Sequence, residues 1–141
     1  MTVGTPAVDP AFAALREFRP LLLAAHKLLM DAEKEFYEER HGPIANKGEY
    51  LRLVLSHGQF SWLRPISQFI VQMDEVLMSK QPQPPERASE LLNQARHLLQ
   101  DTEIGQVFQA RTELVARHSP EMVATAQRME ELLQVSGEAS A

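Results

Sequence analysis

Cysteine is absent from this 141-residue chain. That absence excludes disulfides, thiolate nucleophiles and thiolate-ligated zinc together. It also agrees with a reducing cytoplasm, which is the expected location. Aromatic residues are scarce at 6%, with a single tryptophan, Trp62, so any indole chemistry has one address. No basic run exists. Lys and Arg are scattered, and the net charge is −5. Clustered cations supply most non-specific nucleic-acid affinity, so no nucleic-acid partner is expected. The longest apolar run is Leu21-Leu22-Leu23-Ala24-Ala25, far short of the ~20 residues of a membrane-spanning helix. Met1 to Pro10 has neither a basic nor an apolar stretch, so no secretory leader is expected.

What the chain has is helical periodicity, with little of the period-two alternation that marks strands. Phe18, Leu22, Ala25, Leu29, Ala32 and Phe36 recur at alternating spacings of four and three. Ala88, Leu91, Leu92, Ala95, Leu98 and Leu99 form a second stripe. Ile104, Val107, Phe108, Leu114 and Val115 form a third, interrupted by the charged Arg111. Met122, Val123, Ala126, Met129 and Leu133 form a fourth. Such stripes bury against one another. The expected fold is all-α, a bundle of five to six helices with mostly antiparallel neighbours.

Helix punctuation sets the boundaries. Asp9-Pro10 reads as a cap followed by a first-position proline. Pro20 predicts a kink or short break near residues 17–19, with the main helix from there to His41 and a stop at Gly42-Pro43. Short helices are predicted over Lys47–Ser56 and Ser61–Ser79, with Pro65 confined to the first turn of the second. Residues 80–85, rich in proline, read as an extended connector. Beyond it, helices are predicted over Pro85–Asp101, Glu103–Arg117 and Pro120–Val135. Residues 1–8 read as a flexible arm and 136–141 as a disordered tail, leaving one domain over 9–135.

The candidate chemistry lies on two helices. His26, Met30, Glu33 and Tyr37 share one stripe bordering the apolar face. Ser67 and Asp74 stand among apolar neighbours on the 61–79 helix, beside the Trp62 stripe. If the two helices are neighbours, His26, Glu33, Tyr37, Ser67 and Asp74 converge on a polar pocket walled by Trp62. Such a pocket can take a cation or a small polar ligand. The same residues can equally form a structural hydrogen-bond network. Arg64, held beside Pro65, can clamp an acidic ligand, or tie a loop or a carboxylate such as Glu33 or Glu38. His57, His97 and His118 read as surface residues.

Catalytic patterns are missing. Glu38-Glu39-Arg40-His41 is the one Glu-x-x-His spacing, and a di-iron bundle needs two. No serine stands in a glycine-flanked elbow, and the six glycines form no phosphate loop. No cofactor or metal is expected.

The segments His26–Pro43, Phe60-Ser61-Trp62-Leu63-Arg64-Pro65-Ile66-Ser67 and Ile70-Val71-Gln72-Met73-Asp74-Glu75 carry a resemblance. They are similar to a group of small bacterial helical proteins with His-Gly-Pro after a long helix and a Trp-Leu-Arg-Pro-[Leu/Ile]-Ser…Asp-Glu helix. The likeness covers residues 21–78 and implies a bacterial origin, but no mechanism. The leading expectation is a non-enzymatic interaction or regulatory module with a protein partner or a second copy of itself. The alternative is a small-ligand-binding protein or enzyme using the polar pocket.

Overall fold

The structure, a computed structural model, describes residues 9–139, and side chains to residue 134. The arm expected over 1–8 and the final residues 140–141 of the expected tail lie outside it. Among the described residues there are seven helices: α1 (Pro10–His41), α2 (Lys47–Ser56), α3 (Gly58–Ser61), α4 (Arg64–Leu77), α5 (Pro85–Gln100), α6 (Glu103–Ala116) and α7 (Pro120–Ala139). The protein is an all-α helical bundle. No helix is long and apolar enough to cross a membrane among the described residues.

Helix α1 is the spine, packing against α4, α5, α6 and α7. Asp9 caps it by accepting from the Ala11 and Phe12 N–H groups, with Pro10 at its first position. It ends at Gly42, whose φ of 83° is the left-handed geometry a side chain resists. Of the kink or short break expected at Pro20, the break does not occur. The helix is continuous from Pro10 to His41 with Pro20 inside. An interior proline costs about 3 kcal/mol. Leu15, Phe18 and Leu22 on either side are fully buried, and each contributes roughly 1.5–3 kcal/mol, so burial outweighs the proline.

The 61–79 helix expected from sequence is two elements. A single turn, α3, caps itself with His57, and α4 starts at Arg64 with Pro65 in its first turn. Trp62 lies in the turn between them. Ile66, Phe69, Met73 and Val76 carry the buried face of α4. Helix α7 continues through residues 136–139, which the sequence reading assigned to a disordered tail. The connector reaches α5 through Pro84 in polyproline geometry, φ −65° and ψ 145°. The helices after it pack on α1 and α4, so both halves of the chain share one core.

The turn between α5 and α6 is tight enough to need a glycine. A Cβ on Gly105 would lie 2.7 Å from the Leu99 carbonyl carbon, and that obstacle is backbone. Gly105→Ala is therefore expected to lower stability by about 1–3 kcal/mol in chemical denaturation. Gly58→Ala, with open space around the new methyl, serves as the control and should be neutral or slightly stabilising. Equal midpoints for the two variants would show that the α5–α6 turn yields without cost.

Candidate functional site

Helices α1 and α4 are laced by polar rungs. Arg19 Nε donates to Asp74 Oδ1 at 2.7 Å, and its Nη2 donates to Oδ2 at 3.3 Å. Two turns further along α1, His26 Nε2 lies 2.6 Å from Ser67 Oγ, two turns back along α4. Equal steps in opposite chain directions are the mark of an antiparallel pair. Asp74 draws the Arg19 guanidinium pKa upward through this hydrogen bond. Burial pushes the His26 imidazole below its ordinary value. Ser67 Oγ is also 3.1 Å from the Leu63 carbonyl, to which it donates.

Two more turns along α1 stands Glu33. The buried stripe of α1 reads Leu15, Phe18, Leu22, Ala25, Leu29 and then Glu33, which is 1% exposed. Glu33 therefore occupies a core position, beyond the boundary position its stripe suggested, while Ala32 and Phe36 are only half-buried. Its carboxylate is answered from two other elements. Arg111 Nε on α6 donates to Oε1 at 2.6 Å, and Gln59 Nε2 on α3 donates to Oε2 at 2.8 Å. The Arg111 guanidinium also lies 5.3 Å over the Phe36 ring. Above the pair opens a cleft of about 450 Å³, lined by Glu33, Phe36, Glu39, Arg40, Gly58, Gln59, Trp62, Arg111 and Leu114. The indole N–H of Trp62 is buried and has no hydrogen-bond partner among the described residues.

Of the residues singled out from sequence, the structure brings together Glu33 and Trp62 in this cleft, and His26 with Ser67 below it. Asp74 is spent on Arg19. Tyr37 belongs to an aromatic group with His41 at 4.5 Å, His57 at 5.2 Å and Phe60 at 6.3 Å between ring centroids. Arg64 ties the last turn of α2: its Nη2 donates to the Leu55 carbonyl at 2.5 Å, not to Glu33 or Glu38. Glu38 in turn accepts the Ile44 N–H at 2.9 Å. His57 is not a surface residue. It is half-buried, and its Nδ1 accepts the Gln59 N–H at 3.0 Å. Arg111 and Gln59 are the site residues not chosen from sequence. Arg111 left a signal, as a charge interrupting an apolar stripe. Gln59 left none, because a glutamine in a short turn resembles any surface residue.

A serine–histidine contact becomes nucleophilic machinery only when a third group orients the base and donors await an oxyanion. His26 Nδ1 has no such partner among the described residues, and Ser67 lies within a helix. No group of three or more metal-ligating side chains occurs among the described residues. The Arg111 terminal nitrogens have no hydrogen-bond partner among the described residues and are free for a ligand. Comparison with protein-family models, curated proteins and solved structures finds no match to this chain.

Two expected outcomes follow from this geometry. Glu33→Ala removes an answered buried carboxylate and should cost about 1–3 kcal/mol, whereas Glu38→Ala loses one loop hydrogen bond and should cost about 1 kcal/mol or less. Equal thermal midpoints would contradict the burial argument. The second concerns acid. His26 has a folded-state pKa below its ordinary 6.5, so the unfolded chain takes up the proton first as pH falls. Its contribution to stability is therefore intact above about pH 6.5 and is lost as pH drops from there toward the folded value. Melting temperature should fall more steeply between about pH 7 and 5.5 for the wild type than for His26→Gln. Parallel profiles would remove His26 as the source.

Proposed function

We propose that this protein is a non-enzymatic small-ligand-binding module, with the cleft above Glu33 as its site. The observation that carries the reading is the Glu33–Arg111 pair. A buried carboxylate fixes one edge of the guanidinium, while the terminal nitrogens have no partner among the described residues, and Trp62, whose indole N–H is likewise unanswered among them, lines the same cleft. A guanidinium anchored at Nε presents a planar donor edge that suits a carboxylate or a similar planar acid. Arg40 at the rim adds a second cation. Phe36, Trp62 and Leu114 offer apolar walls. The ligand class this supports is a small organic acid with a compact apolar body.

A second reading is favoured by α2. That helix has no buried residue, and Leu51 and Leu55, one turn apart, are 59% and 61% exposed. An apolar edge on a loosely held helix supports contact with a partner protein or a second copy, as an interaction or regulatory module requires. The two readings are compatible, since a ligand near α3 can bias how α2 sits on it.

Trp62 is the only tryptophan, so its emission reports the cleft alone. Native mass spectrometry on gently purified protein should show an additional small mass that Arg111→Gln loses. A panel of small organic acids should shift Trp62 emission saturably in the wild type and about tenfold more weakly in Arg111→Gln. A clean apo mass together with emission that no acid moves would overturn the ligand reading. Concentration-dependent association in light scattering, abolished by Leu51→Glu/Leu55→Glu, would then favour the α2 surface.

A further inference from the structure

A second cleft, of about 590 Å³, lies among α1, α5, α6 and α7 and shares no lining residue with the first. Its composition differs. Ala25, Leu99, Phe108, Met122, Met129 and Leu133 make an apolar floor. Its charged lining is Glu113 and Glu130, with no Lys, Arg or His among the lining residues. Neither carboxylate has a hydrogen-bond or ion-pair partner among the described residues, and both side chains are exposed.

An independent feature sits in the same cleft. Thr112 is 8% exposed, and its buried hydroxyl has no partner among the described residues. A threonine inside a helix ordinarily returns its hydroxyl to the carbonyl one turn back, as Ser67 does to Leu63. Leaving a buried hydroxyl unanswered is costly. Valine would fill the same volume without that cost. An unanswered hydroxyl, two unpaired carboxylates and an apolar floor together define a ligand with an apolar body and a hydrogen-donating cationic head. Met122 and Met129 give the floor an adaptable shape.

We propose that this cleft binds a small amphiphilic amine. The ammonium group lies between Glu113 and Glu130 and donates to Thr112, and the hydrocarbon rests on Phe108, Met122, Met129 and Leu133. The inference is independent of the cleft above Glu33, which shares no lining residue with this one and carries two arginines where this one carries none.

The test is calorimetric titration of the full chain with decylamine below its aggregation concentration, with decanoate and decanol as matched probes. Saturable decylamine binding is expected, with decanoate weaker by about fivefold or more because its charge is repelled. Ala126→Leu, which places bulk in the cleft without changing charge, should abolish binding. Thr112→Val should weaken it while leaving the apo melting temperature unchanged or raised. That opposition separates a ligand-facing hydroxyl from one that merely holds the fold. Arg111→Gln should bind decylamine like the wild type. The proposal is overturned by absence of saturable binding, by decanoate binding as well as decylamine, or by binding that survives Ala126→Leu. Loss in Arg111→Gln with retention in Ala126→Leu would place the amine in the other cleft and would equally overturn it. Full affinity in Thr112→Val would reject the hydroxyl contact.

Discussion

A carboxylate placed in the core stripe of a helix must be answered by donors, and in this protein that requirement organises three elements at once. Glu33 lies on the buried face of α1 and is reached by Arg111 from α6 and Gln59 from α3. Desolvating an unpaired carboxylate costs several kcal/mol, more than any single hydrophobic contact returns. The fold is therefore tolerable only with α3 and α6 seated where they are. The ion pair joins α6 to α1 at one level of the spine, the kind of contact through which buried polar groups can set registry.

The same spine explains why the polar residues of α1 do not merge into one site. Arg19, His26 and Glu33 fall two turns apart and each meets a different partner: Asp74, Ser67, and the Arg111–Gln59 pair. The first rung is a half-exposed ion pair, worth about 0–1 kcal/mol. The second is a half-buried tie between α1 and α4. The third adjoins a cleft. Polar residues along one helix thus divide between structure and recognition according to what the opposing element brings to each level.

Two clefts of opposite character follow from how the last two helices pack. Residue 111 faces the Glu33 cleft, while its neighbours at 112 and 113 line the apolar one. One turn of α6 therefore separates an arginine-lined hollow from a carboxylate-rimmed one. Gly105 makes this possible at the start of α6, because the helix approaches the Leu99 backbone more closely than any side chain allows. The two clefts share no lining residue, so what enters one is chosen by different side chains from what enters the other.

Much of the fold was legible in the residues themselves. Stripe spacing specifies helices and their buried faces, and Asp9-Pro10 and Gly42-Pro43 mark ends because capping and proline chemistry act within one turn. The all-α bundle follows from these local rules. The continuity of α1 through Pro20 did not, because it depends on how tightly Leu15, Phe18 and Leu22 are buried by other helices. Glu33 and Trp62 could be named in advance, one as a charge beside an apolar stripe and the other as the sole indole. Their partners could not. Arg111 is far from Glu33 along the chain, and only the seating of α6 on α1 joins them. Periodicity and caps are properties of neighbouring residues, so sequence alone determines them. Which donor answers a buried carboxylate is decided by packing across the whole chain, and only the tertiary structure shows it.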